Sequence, residues 1–417
     1  MSNENKQLKM LAPEGFREKL SRRAFLQGGT AVAGFALIAA ACGGSDSATE
    51  SSTSDTATSD ATSTEGLASG DWSRVINQSS GTLAMYTWGD YNDPDLVGAL
   101  AGSTLNVTMK VDYYASNEDL ITKLATSGGS SGFDIVVPTG PYIPQMIEKG
   151  LIQKLDKSLI PNMVNVDPNY LAQDWDPTND YSVCKNWGTT GYFYDTTKIS
   201  KELTTWQDFI DTCMGEASGN CSVIDAAPNY CGMWFWANKI NWNTETPADL
   251  DACEKFLVEE FAQHIKAFDS YPSTKLAEGA YSIAMAWNGD ARQAYVRIEE
   301  AGGNPSNWKW VLGSPNTELW MDNYCVAAGA PNAEAAHAWI NWDLVPEISI
   351  KDLSYHGYHT GMKNMAQLIS DVAPDLVNGD MIFFGDEQVA TMQTQVITPA
   401  LDRLIDILNK SKAKAGG

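Results

Sequence analysis

LAMYTW (83–88), LNVTMKV (105–111) and FDIVVP (133–138) are short β-rich runs, and NEDLITKLA (117–125) and YIPQMIEK (142–149) are amphipathic helical stretches between and after them. Strands alternating with helices in this order predict the α/β class, with a parallel-dominated sheet covered by helices on both faces. The alternation continues downstream. Strands are expected at residues 191–194, 222–224, 281–287, 308–312 and 324–328, and long helices at 247–268, 290–302, 333–344 and 388–410. No solenoid-type repeat is visible. A chain of 417 residues exceeds what one hydrophobic core usually carries, so two domains are expected.

Fourteen tryptophans are many, and Trp88, Trp187, Trp287 and Trp320 fall just past expected strand ends. In open α/β sheets the carboxyl ends of strands are where ligands bind. A single such tryptophan reads as packing. Four of them, with acids beside three in WGDY (88–91), WNGD (287–290) and WMD (320–322), point to a binding slot. Aromatic faces attract cations by about 0.5–2 kcal/mol each and also pack on methylene chains. Carboxylates fix ammonium groups by charge-assisted hydrogen bonds. That combination suits an alkyl amine.

These residues resemble the spermidine/putrescine-binding proteins that serve polyamine ABC importers. The carrying segments run in one order over most of residues 81–410: MYTWGDY (85–91), YYASNEDLITKLATS (113–127), GFDIVVPTGPYIPQMIEKGLIQKLDKS (132–158), DPTNDYSVCKNWGTTGYFYD (176–195), LAEGAYSIAMAWNGD (276–290), ELWMDNYCVAAGAPN (318–332) and HGYHTGM (356–362). FDIVVPT with IEKGLIQKLDKS and WMD is a specific combination. The resemblance implies a periplasmic-binding-protein fold of type II, two α/β domains joined by a hinge with the ligand in the cleft. The domains would be residues 81–189 with 321–365, and 190–320 with 366–417. The expected ligand is putrescine- or spermidine-like, the expected partner an ABC permease in the membrane, and the expected state a monomer.

The resemblance places an aromatic cage on Trp88, Tyr91, Trp287, Trp320 and Tyr358. It puts a hydroxyl at Thr139, an amine-binding carboxylate at Asp322 and a polar group at Ser270; Asp90 in WGDY is a further candidate from its place beside Trp88. A pocket tyrosine falls at Pro141 by strict counting, with Tyr142 beside it. A glutamine from the C-terminal helix would be Gln393 or Gln388. The chain departs from the family at VIDAAPNYCG (223–232), where acids are usual. Asp225 remains, but Ala226 and Asn229 stand where further acids would help hold an amine, and Pro228 replaces the usual arginine. Burying an unpaired ammonium costs several kcal/mol, so a shorter diamine, or a ligand with one polar uncharged end, is expected over spermidine. Asp225, Asp269 or Asp290 are candidates to compensate. Another small amine-containing or polar solute is the alternative ligand.

An enzyme would need a nucleophile, base or metal site. There is no G-x-S-x-G elbow and no phosphate-cradling loop; TSGGSSG (126–132) lacks the lysine. His356 and His359 in HGYH are candidate metal ligands but read more simply as loop histidines. No catalytic residue, metal or cofactor is expected. A surface adhesin would not need aromatics with acids at strand ends.

The N-terminal segment SRRAFLQGGTAVAGFALIAAAC (21–42) reads as an export signal. Arg22 and Arg23 precede an apolar run too short to span and stay, which favours the twin-arginine route. AAAC (39–42) resembles a lipoprotein processing site, which makes Cys42 the lipidated mature N-terminus after removal of residues 1–41, although Ala39 stands where leucine is usual. Plain cleavage after Ala41 is the other reading. Residues 42–70 are then a flexible, lipid-anchored linker. Its Ser, Thr, Ala, Gly and acidic composition cannot bury a core, and it would reach on the order of 30 Å. The expected location is the periplasm or the outer face of the cytoplasmic membrane.

The chain after Ala41 has 22 basic and 49 acidic side chains, a net charge of −27, which argues against nucleic acid and anionic lipid. Its cysteines after Cys42 are Cys184, Cys213, Cys221, Cys231, Cys253 and Cys325, compatible with disulfides, of which Cys213–Cys221 across a glycine-rich turn is the favoured pair.

Overall fold

In the computed structural model, which describes residues 81–127, 131–365, 367, 369 and 378–416, strand β1 (Gly81–Trp88) buries Leu83, Met85 and Thr87. The alternation follows from the two-residue period of a strand. Strand β2 (Val107–Tyr114) lies parallel to it, Trp88 opposite Tyr114. Helix α1 (Asn117–Thr126) starts at Ser116, whose side chain accepts from the Asp119 N–H, and buries Leu120, Ile121 and Leu124. This capping satisfies one of the free donors of the first turn. Strand β3 (Ile135–Val136), helix α2 (Ile143–Glu148) and strand β4 (Ile152–Gln153) follow. Every residue of strand β5 (Val183–Asp195) is buried.

Helix α3 (Trp206–Met214) is opened by a reciprocal cap between Thr205 and Asp208. Strand β6 (Cys221–Val223), helices α4 (Ala227–Ala237) and α5 (Pro247–Glu254), and strands β7 (Ile265–Phe268) and β8 (Ile283–Trp287) continue the chain. Helix α6 (Asn288–Glu300), strands β9 (Trp308–Val311) and β10 (Thr317–Ala327), helices α7 (Ala333–Asp343) and α8 (Pro346–His356), strand β11 (Met392–Thr394) and helix α9 (Leu401–Ala415) complete it.

The sheet order is β2-β1-β3-β10-β5-β8-β6-β7, with β4 and β11 also paired to β10 and β9 to β5. Parallel pairs (β1 with β2 and β3, β6 with β7 and β8) flank two antiparallel central strands. Strand β5 changes partner half-way. Thr189 faces Leu319 of β10, and the next residue, Thr190, faces Trp287 of β8. One large core takes Leu83, Val183, Trp187, Tyr324 and Trp339; another takes Tyr192, Trp206, Phe235 and Ile283. The long strand β5 contributes to both.

Several expectations need correction. The sheet is mixed rather than parallel-dominated, because β10 runs antiparallel to β3 and β5, and β5 to β8, and Trp187 and Trp320 lie inside β5 and β10 rather than past strand ends. The span 247–268 is not one helix: it ends as strand β7, parallel to β6. Residues 388–410 are not continuous helix either, because MQTQVITP (392–399) carries β-favouring residues and a proline that blocks helix, so β11 forms and α9 begins only at Leu401. The six described cysteines are buried free thiols, so no Cys213–Cys221 bridge is formed, although the two thiols are hydrogen-bonding neighbours. The readings on residues 1–41, Cys42 and the 42–70 linker lie outside the described residues.

Candidate ligand-binding site

Asp322 lies in β10, bridged to Thr139 at the end of the VVP run. Its carboxylate accepts a 2.7 Å hydrogen bond from the Tyr91 hydroxyl. Burial pushes it up to about 6, against the lowering effect of Tyr91, Thr139 and Lys185. Thr139 is itself held by Asn117, which accepts from its N–H at 3.0 Å and donates to its hydroxyl at 2.9 Å. Asn117 opens α1, so the α1 start positions the hydroxyl.

Trp320 and Tyr358 meet edge to face, 4.8 Å between ring centroids, and Tyr91 lies 5.6 Å from Tyr358. Two glycines make room for these rings. A Cβ on Gly188 would sit 2.5 Å from the Trp320 ring, and one on Gly289 would sit 2.4 Å from the Tyr358 ring. The Tyr358 hydroxyl donates to Asp290 at 2.5 Å. Burial raises Asp290 to about 7, partly offset by that hydrogen bond. Trp287 ends β8, its ring 6.5 Å from that of Tyr271. Tyr271 reaches back to the β1 end, where its hydroxyl accepts from the Gly89 N–H at 3.4 Å. Trp88 packs edge-on against Tyr114 at 4.6 Å, with its indole N–H on the Val137 carbonyl.

Asn229 does not point at an empty end. It donates to Glu318 at 2.5 Å and to the Thr190 hydroxyl at 3.1 Å. Glu318 is 5 % exposed, and burial raises it to about 7 against hydrogen bonds from Thr190, Asn229 and Trp287. Sequence reasoning missed Glu318. The signal was present, since Glu318, Trp320 and Asp322 are spaced two apart and so share a strand face. Tyr271 was missed as well, because FDSYP carries no pattern that separates it from a loop aromatic.

Other expected residues are placed differently. Asp90 is half exposed and pairs with Arg297 of α6 at 2.8 Å, so its charge is matched by the protein. Asp225 pairs with Lys412 of α9 at 2.6 Å, so its charge too is matched by the protein. Asp269 accepts from the Tyr281 hydroxyl at 3.0 Å. Tyr142 is buried and donates to Glu118 at 2.8 Å. Ser270 is buried just after β7. Gln393 stands on β11 rather than on a helix, directly opposite Glu318. His356 lies 3.4 Å from Asp352, and His359 accepts from the Trp187 indole at 2.8 Å. Among the described residues no group of three side chains fits a metal ion.

The cluster therefore holds three buried carboxylates, Asp290, Glu318 and Asp322, whose hydrogen-bond donors are all neutral. Behind it lies a matched charge pair. Lys185 is 2.9 Å from Asp352, both fully buried, and also donates to the Tyr91 carbonyl at 3.0 Å. Its ammonium sits 4.4 Å from the centre of the Tyr91 ring.

Residues 95–378 match the family of bacterial extracellular solute-binding proteins. The chain belongs to that family. The spermidine/putrescine-binding periplasmic protein of Escherichia coli is 30% identical over 318 residues, 75% of this solute-binding protein and 86% of its relative. The putrescine/agmatine-binding protein of Pseudomonas aeruginosa is 27% identical over 329 residues, covering 75% and 86%. The substrate-binding protein PotD of Streptococcus pneumoniae superposes with a TM-score of 0.65 at 24% identity, over 81% of this chain and all of its own. The solute-binding protein thus has the type II periplasmic-binding-protein fold, and it belongs with transport proteins rather than enzymes. Among its described residues no helix is long and apolar enough to cross a membrane.

Proposed function

We propose that this chain is the extracytoplasmic receptor of an ABC importer for a short aliphatic polyamine of the putrescine or spermidine type. The observation that carries the reading is the set of three buried carboxylates among aromatic rings, hydrogen-bonded only by neutral groups and none in a direct ion pair. A carboxylate without a counter-charge in a dry site is unfavourable, and an ammonium ligand removes that penalty. Burial leaves Asp290 and Glu318 near 7 and Asp322 near 6, against their neutral hydrogen-bond donors and the pull of the Arg297 charge on Asp290 and of the Lys185 charge on Asp322.

The sign of the pH dependence follows. In the empty slot these groups hold protons up to about pH 6–7; a bound ammonium favours their ionised forms, so binding in that range expels protons. Affinity for amines is expected to fall as pH is lowered from 8 to 5.5. Calorimetric titration with putrescine, cadaverine and spermidine at both pH values tests it. No binding tighter than about millimolar by any amine, or binding that strengthens on acidification, would sink the proposal.

Closure is part of the same proposal. Residues 81–189 with 321–365 form one domain and 190–320 with 366–417 the other, hinged where β5 changes partner. Small-angle scattering should give the mass of one chain and a smaller radius of gyration once amine is bound. Unchanged size on saturation would count against a hinge.

Export by the twin-arginine route and anchoring through Cys42 complete the reading, supported by Arg22-Arg23 and the AAAC site. Radiolabelled fatty acid is expected in the wild type and absent from Cys42→Ala. Equal labelling of both would remove the anchor.

A further inference from the structure

We infer that Glu318, together with Gln393, anchors a second ammonium and so makes the slot selective for ligands charged at both ends. This rests on the amine reading above and replaces the expectation of an end short of acids at Ala226–Asn229. Glu318 lies four residues before Asp322 on β10, with Trp320 between them on the same face, so the two Cα atoms are about 13 Å apart along the strand. Its Oε2 accepts from Thr190 at 2.6 Å and from Asn229 at 2.5 Å. Both donors are neutral. On the adjoining parallel strand Gln393 is in register with Glu318, so the two side chains leave the same sheet face. The Gln393 Oε1 is buried and has no hydrogen-bond partner.

An acceptor without a donor stands beside a carboxylate without a cation. A primary ammonium, with three donors and no acceptor, satisfies both. Trp320, 8 % exposed with its indole N–H also unpartnered, lines the span between the two charged ends. The arrangement further explains Asn229. An aspartate there would put two carboxylates at hydrogen-bonding distance, and one would have to stay protonated. The amide donates to Glu318 instead and keeps its charge free for a ligand.

The test is calorimetric titration of wild type, Glu318→Gln and Gln393→Met with putrescine, cadaverine, spermidine and butylamine. Glu318→Gln is expected to weaken the preferred di- or triamine by about 30-fold or more, and to leave butylamine within about twofold of wild type. Gln393→Met, which removes only an acceptor, is expected to weaken the same ligand about threefold or more with butylamine again unchanged. An unchanged diamine affinity in Glu318→Gln, with wild type binding normally, overturns the second anchor and leaves the amine site standing. Equal losses for butylamine and diamine also overturn it, since they mean that Glu318 only shapes the slot through Thr190 and Asn229. Wild type that binds no amine overturns the amine reading and this inference with it. Should thermal melting show Glu318→Gln unfolded, the Gln393→Met arm decides, and no diamine-specific loss there counts against the anchor.

Discussion

Replacing Lys185 by methionine is expected to destabilise the protein by about 3–5 kcal/mol, the largest effect of any single substitution considered. Lys185 and Asp352 form a 2.9 Å pair with side chains 0% and 1% exposed. Burial alone would raise the Asp352 carboxyl; the Lys185 ammonium overrides it and holds the group well below the ordinary carboxylate range. Methionine fills a similar volume, so cavity formation is a minor part of the loss. What remains is a buried charge with the Asp93 N–H at 2.7 Å and a neighbouring His356 that burial holds neutral, its value lowered to about 4. Urea unfolding of wild type and variant measures the difference. A loss below about 1 kcal/mol would refute it, while Lys185→Met combined with Asp352→Leu should recover most of the stability, because removing both charges leaves none unpaired.

Asp322→Asn is expected to cost about 2–5 kcal/mol of affinity for the preferred amine, with little change in folding stability. The two readouts separate for a physical reason. In the empty slot burial raises Asp322 to about 6, so at neutral pH its ionisation opposes folding, and asparagine, which preserves the shape, costs no stability. The bound ammonium, by contrast, loses a full opposite charge. The Tyr91 hydroxyl, 2.7 Å away, can still donate to the amide oxygen, which keeps the local geometry. Calorimetry with the ligand that wild type prefers decides it. Unchanged binding by Asp322→Asn would remove Asp322 from the site.

The α/β class and most of the early elements could be read from residue pattern, since β1 and α1 have clear periodicity and α1 a serine cap. Strand β11 and the end of the 247–268 span could not. Both are short strands whose pairing partners lie far away in the chain, β11 with β10 and β7 with β6, so only tertiary contact selects strand over helix there. The candidate site was half visible. WMD and WNGD announced Trp320, Asp322, Trp287 and Asp290 because ring and acid sit together in sequence. Asp90 in WGDY carried the same type of signal, and Asp225 was expected from the family's acidic run, yet they face Arg297 and Lys412, which no local pattern could foretell. Glu318 escaped because its role depends on Asn229 and Gln393, 89 residues upstream and on a neighbouring strand respectively.

Strand β10 sits between β3 and β5, pairing Val326 with Ile135 about 190 residues earlier in the chain. A growing polypeptide therefore carries β1, β2 and β3 on one side and β5 on the other long before the piece that joins them is made. Loop-closure entropy over such a separation is unfavourable until those contacts form, which places this topology among slow folders. Neither half can complete its sheet until residue 327 has left the ribosome. A chain that matures this late spends its synthesis with incomplete strand edges, and it is committed to its native form only once nearly all of it exists.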